Sequence, residues 1–222
     1  ELDKARDRGI TGLDVFGPHE ARTIRTDLSR FLEEDYTFRL ETGAVPTHFE
    51  SAVPETEIAG VRLRGNVDRI DITPDGQRAW VIDYKTGSAY DFRKITPGDP
   101  LAGGKKLQLP TYLAAVPDVP DASAVYWFIT RKGEFRRIPY NPTAENQELF
   151  RKTVEAVVAG VGKGAFPAVS GDEDEYYGGY DNCKYCDFDR ICSQRRDQEF
   201  DIKGGDAGLK PWKAVGEAAT RG

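Results

Sequence analysis

The sequence predicts an α/β chain, a mixed sheet with helices packed on its faces. Three observations lead there. Helical and strand-like segments follow one another in the order helix, three strands, helix, two strands, helix. Two pairs of strand-like segments are joined by turn chemistry, "TPDGQR" at 73–78 and "RKGE" at 131–134. The 222 residues, 39% of them hydrophobic, are enough to bury a substantial core.

The elements come in this order. Residues 18–42 place Ile24, Leu28, Phe31 and Leu32 at helical spacing with charges between them, and Pro18 suits the helix start. Strand-like segments follow at about 47–54, 58–72 and 79–86. A Gly/Pro-rich loop covers 91–104, and a helix is expected over about 105–116. Strands are expected at about 122–130 and 134–140. An amphipathic helix follows over about 143–161, with Leu149, Phe150, Val154, Val157, Val158 and Val161 as its apolar stripe. Past Gly164 the chain reads as irregular. The resulting division is a remnant of a longer chain at 1–17, a core at 18–164, a cysteine-bearing segment at 165–200 and a flexible Gly-rich tail at 201–222.

The formal net charge of −6 argues against a surface coated in positive charge for non-specific nucleic-acid binding. It leaves room for a local basic groove, and basic doublets recur, among them Arg93-Lys94, Lys105-Lys106 and Arg136-Arg137. No apolar run approaches the ~18 residues of a membrane span, so no membrane partner is expected. The three cysteines, Cys183, Cys186 and Cys192, crowd together in C-x2-C-x5-C spacing. A disulfide framework would scatter an even number along the chain. The cluster reads instead as metal ligation, Zn²⁺ or iron–sulfur, in a reducing and hence cytoplasmic compartment.

The stretch "GNVDRIDITPDGQRAWVIDYKTG" (65–87) carries the chemistry. Closing this hairpin symmetrically around Asp75 and Gly76 sets Asp68 across from Asp83, with Cβ atoms ~4.5–5.5 Å apart. Strand alternation brings Lys85 to the same face. Opposed carboxylates repel, and a divalent cation between them relieves that. The apolar residues around them mark a central hairpin, where an ordinary surface ion pair is hard to place. Gln108 and Tyr112 are four apart and share a helix face that can turn toward the hairpin. Pro110 is compatible with that helix in its first turn. Glu50, on the preceding strand, is a further candidate acidic ligand.

"GNVDRID", "VIDYKTG" and "LQLPTY" (107–112) together resemble the RecB-type branch of the PD-(D/E)XK nucleases. The likeness is close to the nuclease domains of AddB- and AdnB-like helicase–nucleases and spans roughly residues 20 to 195. It implies a restriction-endonuclease-like α/β fold and Mg²⁺- or Mn²⁺-dependent hydrolysis of DNA. Asp68 and Asp83 would be metal ligands, Lys85 the catalytic lysine, and Gln108 and Tyr112 members of the helix motif. The parent would be an ATP-dependent helicase–nuclease that resects broken DNA ends with a second subunit. The resemblance also makes Cys183, Cys186 and Cys192 three of four ligands to a [4Fe–4S] cluster, the fourth lying upstream.

One departure stands out. The family carries a metal-binding His on a helix upstream of these motifs, and neither His19 nor His48 sits at that distance. The expected His falls before residue 1, so weak metal binding and poor cutting are expected of this piece alone. "GDPLAGGK" (98–105) is off by one residue from a phosphate-binding P-loop and lacks the following Ser or Thr. Two other function classes stay open: a DNA-binding or structural module of the same fold that does not cut, and a small Zn-dependent interaction domain.

Overall fold

A computed structural model describes residues 2–9, 16–113, 116, 118–173, 178–184, 186–188, 190–193 and 195–219. Its first half runs α1 (Leu2–Asp7), α2 (Gly17–Thr42), β1 (Val45–Ala52), β2 (Thr56–Ile58), β3 (Val61–Leu63), β4 (Asn66–Ile72) and β5 (Arg78–Lys85). Then come α3 (Gln108–Leu113), β6 (Asp121–Phe128), β7 (Arg137–Tyr140), α4 (Ala144–Gly162), α5 (Arg196–Lys203) and α6 (Lys210–Ala219). Five strands form one sheet in the order β1-β4-β5-β6-β7, and β2 pairs with β3 apart from it. Only β5 and β6 run parallel in the main sheet. Their crossover contains a 3₁₀ turn (Ala89–Phe92) and α3. This is the mixed sheet flanked by helices that the sequence predicts.

Side-chain alternation along β5 and β6 divides the core in two. Val81, Tyr126 and Phe128 join Leu109 of α3 and Phe150 and Val154 of α4 in one cluster. Ile82, Val125 and Trp127 join Phe38 of α2 in the other. Phe31 and Phe38 hold α2 to the sheet through Trp127, with ring centroids 5.3 and 5.0 Å apart. The β4–β5 hairpin lies between both layers, which makes it the central pair expected.

Several elements differ from the sequence reading. The expected strand at 58–72 takes in the end of β2, all of β3 and all of β4: Ala59 (φ 53°) and Gly60 (φ 75°) are both left-handed and close a two-residue turn between β2 and β3, and Arg64 and Gly65 separate β3 from β4. The expected helix at 105–116 starts only at Gln108, which leaves Pro110 in its first turn; residues 114 and 115 lie outside the described residues. On α2 the expected apolar residues Ile24, Leu28 and Leu32 are exposed, and the buried side instead holds Phe38 with Asp27 and Asp35. On α4, Val158 and Val161 are exposed while Leu149, Phe150 and Val154 are buried. The segment read as a flexible tail forms the end of α5 and all of α6. α6 meets α4 where a side chain is missing: a Cβ on Gly160 would lie 3.6 Å from the Pro211 carbonyl oxygen. Residues 10–15, part of the expected N-terminal remnant, and 174–177 of the acidic loop lie outside the described residues. Among the described residues no helix is long and apolar enough to cross a membrane.

Candidate active site

The turn between β4 and β5 sets the register. Thr73 N–H donates to the Arg78 carbonyl at 2.9 Å, Gly76 takes φ 70°, and the Asp75 carboxylate accepts from Gln77 N–H at 3.0 Å. The ladder then runs from Ile72↔Ala79 to Arg69↔Ile82, the symmetric closure expected. One step further it places Asp68 beside Asp83. There the Asp68 side chain takes the role of a backbone acceptor: its Oδ2 accepts from Tyr84 N–H at 2.7 Å.

Asp83 is 2% exposed, and Lys85 is partly exposed at the mouth of the site. The Lys85 ammonium forms an ion pair with Asp83 Oδ2 and donates to Gln108 Oε1 at 3.1 Å. Gln108 Nε2 donates in turn to the Tyr112 hydroxyl at 2.9 Å. Five residues expected from sequence are thus gathered: Asp68, Asp83 and Lys85 on the hairpin, Gln108 and Tyr112 on α3. The helix spacing aligns Gln108 and Tyr112, and the crossover delivers α3 to this face. The relay also orients the Gln108 amide, since an ammonium can only donate. Burial pushes the Asp83 carboxyl above the ordinary carboxylate range; Lys85 opposes this and repulsion from Asp68 adds to it. A groove of about 660 Å³ opens beside the site, with Tyr112, Asn66 and Arg64 among its walls. Gly65 lets Tyr112 approach this closely, because a Cβ there would lie 2.8 Å from Tyr112 Cε1.

Glu50 is not gathered with the aspartates. It is exposed and takes a left-handed backbone (φ 47°) between the Phe49↔Arg69 and Ser51↔Val67 pairs of β1 and β4. Among the described residues no three His, Cys, Asp or Glu side chains converge as a metal-holding group. Two carboxylates still suit a hard cation such as Mg²⁺, which takes one or two and fills its shell with water and substrate oxygens. The buried Asp83 Oδ2 is ion-paired with Lys85, and a carboxylate oxygen keeps a second lone pair for that purpose. The three thiols do not converge as a metal-holding group either. Cys183 is half-buried and accepts from Arg196 at 3.4 Å, Cys186 is exposed, and Cys192 is half-buried.

The opposite face of the same hairpin holds residues that the sequence reading passed over. Arg69, 4% exposed, makes a two-pronged contact with Asp71, itself fully buried. Arg69 also donates to Asp35 of α2 at 2.6 Å and to the Tyr84 hydroxyl at 3.0 Å. Tyr84 therefore joins the two faces: its ring sits in the buried network while its N–H holds Asp68. The signal was visible in "DRID", where Arg69 and Asp71, two apart, share one face of the strand and the adjacent Asp68 takes the other.

Two acidic residues and a lysine on the central hairpin of a helix-flanked mixed sheet define a restriction-endonuclease-like chain. The sequence matches the family model of the PD-(D/E)XK nuclease superfamily over residues 4–193, and the chain belongs to that superfamily. No curated protein matches it.

Proposed function

We propose that this domain is a metal-dependent deoxyribonuclease, an exonuclease by its RecB-type motifs, in which Asp68 and Asp83 hold Mg²⁺ or Mn²⁺. The observation that carries the reading is the Lys85 ammonium, held between Asp83 and Gln108 on the strand face that also bears Asp68. When bound, the cation supplies Lewis-acid polarisation of the phosphodiester and a more acidic water. The protein's own contribution is positional. Lys85 donates toward the attacking water or the phosphoryl oxygens, offsetting charge as the new P–O bond forms and the ester P–O bond breaks. Gln108 fixes the ammonium's direction and Tyr112 fixes Gln108. Burial raises the Asp83 carboxyl pKa, and Lys85 and a bound cation would both favour its charged form.

In this reading the parent is an ATP-dependent helicase–nuclease of double-strand-break repair, cytoplasmic, working on DNA ends with a second subunit. Cys183, Cys186 and Cys192 would join a fourth ligand from earlier in the parent chain around a [4Fe–4S] cluster. Their spacing supports this; iron and sulfide analysis with a visible spectrum separates it from Zn²⁺.

A second reading, a DNA-binding module that does not cut, is favoured by one observation: Asp83 is already paired with Lys85. Degradation of single-stranded DNA in Mn²⁺, wild type against Lys85→Ala in the full-length parent, decides between them. Metal-dependent loss of substrate only with wild type supports the nuclease. Equal, negligible degradation overturns it.

A further inference from the structure

Two ammonium groups stand on one aromatic shelf. Phe92 packs edge-on against Tyr126 and Phe128, with centroids 4.8 and 5.1 Å apart. Lys85 Nζ lies 5.3 Å from the Tyr126 centroid, and Lys106 Nζ lies 3.7 Å from that of Phe92. Lys85 is matched by Asp83 and Gln108. Lys106 has no counterpart of that kind: among the described residues its side chain makes no ion pair and no hydrogen bond. Yet it is half-buried, lining a narrow crevice with Ile95, Leu109 and Tyr126.

Burial holds the Lys106 pKa below the ordinary lysine range; Asp91 opposes this, and repulsion from Lys85 and Lys105 adds to it. An aromatic face attracts a cation by about 0.5–2 kcal/mol, and a cation kept from water normally has an anion beside it as well. The surroundings extend the pattern. In the same crossover loop Lys105 is exposed and without an ion pair among the described residues. Arg93 lies over the Tyr90 ring at 3.4 Å, and Lys94 is already paired with Asp172 at 2.8 Å. A chain of net charge −6 thus gathers positive charge, only partly offset by Asp91 and Asp172, beside its buried acidic site.

We infer that Lys106 is a substrate-binding residue that takes a phosphate of the nucleic-acid strand adjoining the hydrolysed linkage, with Lys105 and Arg93 continuing the track outward. This rests on the nuclease reading above. Lys106 does not act on the reacting bond; it fixes where the strand lies. Its ammonium also repels Lys85, a cost that a bound phosphodiester removes.

The test is fluorescence anisotropy with a single-stranded DNA oligonucleotide, with Ca²⁺ in place of Mg²⁺ and salt varied. Wild type is compared with Lys106→Met, Lys106→Arg and, as a charge-loss control on α4, Lys152→Met. Lys106→Met is expected to weaken binding several-fold and reduce the slope of log K against log salt by about 0.7, the share of one phosphate contact on a single strand. Lys106→Arg and Lys152→Met should bind as wild type does. Lys106→Met should melt no lower than wild type, because it removes an unmatched charge and keeps the apolar stem. A Lys106→Met protein with wild-type affinity and slope, alongside a wild type that cleaves in Mg²⁺, overturns the inference and leaves the nuclease reading intact. A Lys106→Met protein that melts several degrees lower makes the residue structural and also overturns it. A wild type that neither binds nor cleaves DNA overturns the reading beneath it.

Discussion

On one face of the β4–β5 hairpin, Arg69 is enclosed by the buried Asp71 and Asp35 and the half-buried Tyr84, and each contact is a directed hydrogen bond. On the other face, Lys85 bridges Asp83 Oδ2 and Gln108 while Asp68 takes one backbone N–H, so two carboxylates share a single ammonium. The same two strands thus carry a saturated network and an unsaturated one, back to back. A saturated buried network holds its geometry, since losing any member strands a charge away from water. An unsaturated one keeps binding capacity in reserve for a ligand. Tyr84 links them, so rigidity built on the closed face is transmitted to Asp68 on the open one.

The comparison breaks if the two faces respond alike to losing an acid. Asp83→Asn should lower DNA cleavage by on the order of 10³-fold, the scale for removing one essential polar group from such a site. It should not lower the melting temperature at neutral pH. The sign follows from the raised carboxyl. A group whose folded pKa lies above its unfolded value favours the fold while protonated. Its contribution is complete below the ordinary carboxylate range and is lost as pH rises through the folded value. Metal-free wild type should therefore lose ground to Asp83→Asn between acid and neutral pH in thermal melts. Added Mg²⁺ should raise the melting temperature of wild type alone.

Asp71→Asn should do the reverse. It leaves the Arg69 guanidinium buried with half its partners, which costs about 3 kcal/mol in urea unfolding, while the folded fraction still cleaves. A stability loss at Asp83 matching that at Asp71 would erase the distinction between the faces.

Smaller effects sharpen it. Gly65→Ala pushes on the Tyr112 ring, which can yield, so stability should fall by about 1 kcal/mol or less. Displacing Tyr112 disturbs Gln108 and through it Lys85, and cleavage should fall by about tenfold. Smallest of all, Glu50→Gln should leave the Mg²⁺ concentration for half-maximal cleavage nearly unchanged. A shift of about tenfold or more would return Glu50 to the metal-holding set.

Much of this site was legible in the chain itself. The turn residues Asp75 and Gly76 specify the register, and register plus alternation puts Asp68, Asp83 and Lys85 on one face without any tertiary information. The four-residue spacing of Gln108 and Tyr112 is equally local. Glu50 is exposed and left-handed on an edge strand, and no sequence rule announces that in a Glu. The cysteines share a spacing but no enforced convergence, so their grouping was beyond local reasoning. On α2, Ile24, Leu28 and Leu32 at helical spacing looked like the buried stripe; only packing reveals that Phe31 and Phe38 face Trp127 while Asp27 and Asp35 turn inward.

The sequence by itself determined the order of elements, the hairpin register and which chemical groups share its faces, because dihedral preferences and strand periodicity act over a few residues. The tertiary structure alone decided which face is closed by Asp35, thirty-odd residues upstream, and which is left open beneath α3. Burial and charge compensation are sums over neighbours that the fold brings together, and no local window contains them.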